Sequence, residues 1–148
     1  MGKTVWFAHR GFLKVWKEIE PVLAADIADV HFKEIDIVGY SHGAALAALC
    51  HEYVWYNRPD LRGFIKGYGF GAPRVFWGLK GKSVRTRWEG FIVIRNLDDF
   101  VTHLPPAFLG YSHVGQLVTI GKRGKYSPTD AHRAENILRE LSHTEKRP

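Results

Sequence analysis

The sequence predicts an α/β fold, with a mostly parallel sheet of about four to five strands and helices on both faces. Three observations predict it. Short apolar runs rich in β-branched residues recur along the 148-residue chain. Between them lie longer segments whose apolar residues fall at helical spacing. A third observation joins the two: residues 34–57 pass from a strand-like run directly into an alanine- and leucine-rich one through Gly39-Tyr40-Ser41-His42-Gly43, a G-x-S-x-G pattern.

Each element follows from its local pattern. Thr4 to Ala8 is a short strand. From Phe12 to about His31, apolar Phe12, Val15, Trp16, Ile19, Val22, Leu23, Ile27 and Val30 form a helical stripe, interrupted at most by Pro21. Strand 34–40 and helix 42–57 come next, the helix stopping before Asn57-Arg58-Pro59-Asp60. Phe64–Gly71, Phe91–Asn96 and Gln116–Gly121 supply three further strands. The last helix starts near Ser127-Pro128-Thr129-Asp130, where a cap serine, a first-turn proline and an acid follow one another, and runs to about Ser142. The polar tail 143–148 is expected to fray. Without repeats, low-complexity tracts or a linker, residues 1–148 read as one domain.

Composition narrows the function classes. Hydrophobic content of 45% and charged content of 24% are ordinary for a globular protein. The chain has no run of 18 apolar residues to span a bilayer, and only five apolar residues precede His9 and Arg10, too few for a signal sequence. A cytoplasmic protein is the resulting expectation. The net charge of +6 comes from residues scattered over 80–87, 122–125 and 139–147, with no basic helix or nucleic-acid motif. This describes a solvated basic surface, suited to peripheral contact with anionic lipid, and excludes nucleic acid as a partner. The single Cys50 falls within the helix after Ser41 and is expected to be a buried small residue. No Cys/His pair has zinc spacing and no carboxylates cluster densely, so neither metal nor cofactor is expected.

The chemistry centres on Ser41. A serine on a sharp strand-to-helix turn has its hydroxyl raised above the sheet edge, with glycines on either side where a Cβ would crowd the backbone. The opening N–H groups of the helix, His42 first, then face whatever binds beside the serine. The plain alternative is a buried serine in a glycine-rich turn. A serine hydroxyl becomes nucleophilic only with a base to take its proton and a carboxylate to orient that base. In the fold that uses this turn, acid and histidine follow the serine in that order. Strand Phe91–Asn96 exits into Leu97-Asp98-Asp99-Phe100, so Asp98 or Asp99 can be the acid, or both can be loop caps. Among the histidines that follow, His103 stands too near the acid, His143 lies in the tail, and His113 and His132 remain. His132, in the first turns of the last helix, is either the base or a surface residue.

Four blocks of the chain together resemble the class 3, fungal-type lipase family. His9-Arg10-Gly11-Phe12 is similar to its histidine-x-glycine-phenylalanine block, and residues 39–47 to its elbow, usually Gly-His-Ser-Leu-Gly-Gly-Ala-Leu-Ala. Gly69-Phe70-Gly71-Ala72-Pro73-Arg74-Val75 resembles the family's turn after the next strand. Residues 99–106 with 110–115 resemble its acid loop and the segment after it. The resemblance implies a truncated α/β-hydrolase fold lacking the usual N-terminal part, with Ser41 as nucleophile, Asp99 as orienting acid, His132 as general base and the His42 N–H as an oxyanion donor. Asp99 holds the family's spacing to Val101 and Leu104-Pro105-Pro106; His9 and His113 are structural. The Gly67-Tyr68-Gly69-Phe70-Gly71 run is then a turn and not a phosphate loop. His42 stands where the family has leucine, Ala44 where it has glycine and Thr102 where it has proline.

The implied activity is hydrolysis of lipid or short acyl esters through an acyl-serine. Phospholipase or acyltransferase chemistry shares the same residues. The rival from another class is a non-catalytic binding or assembly module, because strands missing upstream would leave a sheet edge for a second copy or a partner chain to complete.

Overall fold

Four parallel strands carry the fold, and the alternation of their side chains assigns each residue to a face. In the computed structural model, which describes residues 7–28, 31, 33–78 and 86–144, the order of elements is β1 (Phe7–Ala8), α1 (Arg10–Ala28), β2 (Ile35–Tyr40), α2 (His42–Asn57), β3 (Ile65–Phe70), β4 (Phe76–Trp77), β5 (Phe91–Asn96), β6 (Tyr111–Ser112), β7 (Gln116–Ile120) and α3 (Ala134–Thr144). The main sheet runs β2-β3-β5-β7, with Tyr40 beside Phe70, Phe70 beside Ile94 and Ile94 beside Val118. A three-stranded antiparallel ladder, β1-β4-β6, lies apart from it, its strands only two residues long.

The sheet is covered on both faces, as parallel sheets are. On one side Phe91 and Val93 of β5 and Ile37 of β2 pack with Ala44, Ala45, Ala48 and Leu49 of α2 and with Trp16 and Ile27 of α1. The small alanines of α2 let that helix sit close on β3. On the other side Ile94, Ile120 and Ile137 form a smaller cluster with Phe70, Ile92 and Leu141 around α3. His51 of α2 is sealed in the first cluster at 1% exposure, stacked on Trp88 at 4.7 Å and edge-on to Phe91 at 5.4 Å. Cys50 is half-buried there, and burial pushes its thiol up to about 12, leaving it a weak nucleophile.

Strand and helix positions follow the sequence pattern, with the starts of α1 and of the last helix, and the end of the last helix, displaced. α1 begins at Arg10 and runs through Pro21 to Ala28, and residues 29–30 of the expected helix lie outside the described residues. The last helix starts at Ala134, not near Ser127. In 127–133 the Ser127 hydroxyl donates to the Asp130 carboxylate at 2.7 Å and accepts from the Asp130 N–H at 3.1 Å. Such local bonds offer the backbone an alternative to the helix. The same helix continues through His143 to Thr144, where a frayed tail was expected. Of the expected strand 4–8, residues 4–6 lie outside the described residues, as do 145–148 of the tail.

Candidate active site

At the joint of β2 and α2, Ser41 takes φ 53°, ψ −123°, the only positive φ of a non-glycine residue among those described. Few side chains accept that conformation, and it persists where the surroundings impose it. Here the Ser41 N–H donates to the Phe70 carbonyl at 2.9 Å and its own carbonyl accepts from Ala44 at 3.0 Å. Gly39 is required by close approach: a Cβ there would stand 2.2 Å from the Gly43 carbonyl oxygen. Gly43 differs from expectation, since a Cβ there meets nothing within 4 Å. His42 is the first residue of α2, so its N–H belongs to the turn whose amides have no acceptor within the helix.

The loop leaving β5 separates the two aspartates. The Asp98 carboxylate faces away and accepts from the Gly124 N–H at 2.6 Å, a loop cap. Asp99 is wholly buried, accepts the Val101 N–H at 3.0 Å, and is held from behind by the Thr102 hydroxyl on its carbonyl at 2.7 Å. Its carboxylate oxygens lie 2.9 and 3.0 Å from His132 Nδ1.

His132 sits in the turn before α3, its side chain 16% exposed, with Nε2 2.8 Å from Ser41 Oγ. Residues 33 and 91 positions apart in the chain are thus joined in one hydrogen-bonded line. With the proton on Nδ1, donated to Asp99, Nε2 accepts from the serine hydroxyl and can take its proton.

Two further residues shape the line, and neither stood out in the sequence. Tyr40 stacks on the His132 ring, centroids 5.3 Å apart and planes within 22°, while its hydroxyl donates to the His132 carbonyl at 2.7 Å. Burial, then the Asp99 and Glu135 charges, hold the Tyr40 phenol above its ordinary value, so it remains a donor. Gly71 has φ +58°, and a Cβ there would lie 3.0 Å from the imidazole and 3.1 Å from the Asp99 carboxylate. Gly71→Ala is therefore expected to lower kcat about 10- to 100-fold by displacing the His132–Asp99 pair, as steady-state kinetics on folded protein would reveal. A loss below about 3-fold would show that the pair does not feel this backbone.

The remaining histidines stand elsewhere. His113 Nε2 meets the Thr102 carbonyl at 2.8 Å, His143 Nδ1 meets Arg139 at 2.6 Å, and the His103 carbonyl receives the Arg74 guanidinium. His9 packs on Phe12 at 5.0 Å and Tyr111 at 5.9 Å, and Phe12 in turn on His42 at 5.2 Å, so an aromatic row borders the elbow.

A model of the class 3 lipase family matches residues 3–109, well over half of the chain. The chain belongs to the class 3 lipases. Ser41 and Asp99 fall inside the matched span and His132 beyond it. Similar relatives include a secreted mono- and diacylglycerol lipase of Malassezia globosa, 37% identical over 70% of this chain and 34% of that protein. Another is secreted mono- and diacylglycerol lipase 1 of Fusarium solani, 33% identical over 71% and 32%. The lipase of Rhizomucor miehei is 31% identical over 73% and 31%. This class 3 lipase chain therefore spans about a third of the curated relatives it matches. Among solved structures, a triacylglycerol lipase described as having a serine protease triad for its catalytic centre is similar at TM-score 0.68 and 27% identity, over 82% of this chain and 49% of that one. The Rhizomucor miehei lipase–propeptide complex is similar at TM-score 0.67, over 82% and 41%. The neighbours' α/β-hydrolase fold is the fold of this class 3 lipase chain.

The expectation of a cytoplasmic protein is corrected here, because two of these relatives are named as secreted. It had rested on the first residues of the chain. Where a sequence matches only a third of its relatives' length, those residues have no bearing on compartment.

Proposed function

We propose that this chain hydrolyses carboxylic esters of lipids, mono- and diacylglycerols first, through an acyl-serine intermediate. The hydrogen-bonded line from Ser41 Oγ through His132 to Asp99 carries the reading. Ser41 Oγ attacks the ester carbonyl while His132 Nε2 takes its proton, and the carbonyl electron pair moves onto oxygen beside the His42 N–H. When the pair returns, the ester C–O bond breaks and the leaving alkoxide takes the proton back from His132. Water repeats the sequence on the acyl-serine, releasing the fatty acid and restoring the serine hydroxyl. Asp99 keeps Nδ1 protonated throughout and balances the imidazolium.

An exposed aromatic cluster supports contact with a lipid surface. Phe7 meets Trp77 edge-on at 5.7 Å, Trp77 Nε1 donates to the Leu109 carbonyl at 2.7 Å, and Phe108 is 86% exposed. Because the indole N–H is already satisfied, the ring can enter an apolar phase without stranding a donor. The names of the secreted relatives support action outside the cell. Cosedimentation with phosphatidylglycerol vesicles tests the contact, and no binding removes it.

The deciding experiment is hydrolysis of p-nitrophenyl esters from two to sixteen carbons by wild type, Ser41→Ala and His132→Ala. Activity that disappears in both folded variants is the expected result; a wild type no faster than Ser41→Ala would sink the proposal. One observation favours a second reading. Among the described residues β2 has a ladder partner on one side only, which suits a second copy or a partner strand. An inactive chain that light scattering finds to be a stable dimer would favour that assembly role.

A further inference from the structure

The hydrogen-bonded line joins three segments of the chain through their side chains. What holds His132 in place is a separate question. The imidazole is carried by a turn, not by the helix that follows, and turns alone fix a ring poorly. Tyr40 reaches that turn from the far end of β2, 92 residues away in sequence. It touches His132 twice, at the ring by the stack and at the main chain by the hydroxyl. It also directly precedes Ser41, so one backbone fixes both the nucleophile and the support of the base.

We propose that Tyr40 is the positioning residue of this site, clamping the His132 imidazole at 2.8 Å from Ser41 Oγ by a ring stack and a hydrogen bond to the His132 carbonyl. The proposal rests on the hydrolase reading above. The clamp acts on proton transfer and not on substrate. Without the stack, the ring can turn about its side-chain bonds, and a misplacement near 1 Å costs on the order of 100-fold in rate. Without the hydroxyl, the ring keeps its plane, but the turn that carries it loses its tie to β2.

A competing role for the same side chain makes a distinguishable prediction. Tyr40 also lines a small apolar groove of about 180 Å³ with Phe70, Ala134, Ile137 and Leu138. If its task were to hold an acyl chain there, replacement would change KM, and would do so more for long esters than for short ones.

The test uses the full chain with Tyr40→Phe, Tyr40→Leu and Tyr40→Trp, on p-nitrophenyl acetate and on a twelve-carbon ester. Tyr40→Phe keeps the stack and loses the bond, and is expected to lower kcat about 2- to 10-fold. Tyr40→Leu loses both, and is expected to lower kcat on the order of 100-fold, with KM within about 2-fold for both esters. Tyr40→Trp restores a stacked ring and is expected to recover most of what Leu loses. The Nδ1–H NMR signal of His132, assigned by its absence in His132→Ala, is expected to be lost to solvent exchange in Tyr40→Leu and to persist in Tyr40→Phe. This readout needs no activity, and Tyr40→Phe guards against a leucine variant that does not fold. An active wild type whose kcat is unchanged in the Tyr40 variants overturns the clamp alone, as do effects confined to KM or an Nδ1–H signal that persists in Tyr40→Leu. A wild type no faster than Ser41→Ala overturns the hydrolase reading and the clamp with it.

Discussion

Asp99→Asn is expected to lower kcat for ester hydrolysis by about 10⁴-fold, a loss smaller than that on removing Ser41 itself, with the fold retained. The size follows from which atom carries the imidazole proton. Asp99 is sealed from solvent and offers its oxygens to two donors, the Val101 N–H and His132 Nδ1. An asparagine there can keep its oxygen on Val101 and must then turn its NH2 toward Nδ1. That nitrogen becomes an acceptor, the proton moves to Nε2, and Nε2 points a donor at Ser41 Oγ where an acceptor is needed. The geometry survives while the tautomer is wrong. Single-turnover kinetics on protein checked by circular dichroism measure the effect directly. A loss of less than about 10-fold would mean that His132 does not depend on Asp99 for its tautomer.

The second large effect is on stability. His51 is buried between aromatic rings, and burial lowers its pKa from the ordinary 6.5 to about 4. The folded chain thus takes up this proton less readily than the unfolded one. Between these two values the unfolded state binds more protons, so stability is fully present above about pH 6.5 and is lost as pH falls toward 4. That separation corresponds to roughly 3 kcal/mol, a large part of the stability of a small domain. Glu52, raised by burial and partly brought back by Arg87, works in the opposite sense, gaining stability as it protonates. Comparison with His51→Leu isolates the histidine. Urea unfolding of the wild type is expected to weaken between pH 7 and pH 4.5, and that of the variant to weaken much less. Parallel pH profiles for the two would remove His51 as the cause.

The elements over residues 35–57 were legible in the sequence, because a strand of β-branched residues, a G-x-S-x-G turn and a long alanine-rich run each have a local signature. From the local sequence the acid was legible only as a pair, and the family resemblance alone pointed to Asp99. Asp98 and Asp99 are indistinguishable by composition, and what separates them is long-range: one meets Gly124 and the other His132. The start of the last helix was misplaced because the Ser127–Asp130 bonds that open a helix in sequence close a turn in the structure. Of the β1-β4-β6 ladder only β1 registered, within the expected strand 4–8; β4 and β6 have two residues each, too few for any periodicity to register. Tyr40 and Gly71 were read as a strand residue and a turn residue. Their contacts with His132 arise only when β2, the turn after β3 and the turn before α3 converge at one edge of the sheet.

At the φ of 53° that Ser41 adopts, a side chain of any kind costs roughly 1 kcal/mol that glycine would not incur. The bonds from the Ser41 N–H to the Phe70 carbonyl and from the Ala44 N–H to the Ser41 carbonyl hold that conformation, so the elbow stores part of the fold's stability as torsion directly beside the hydroxyl.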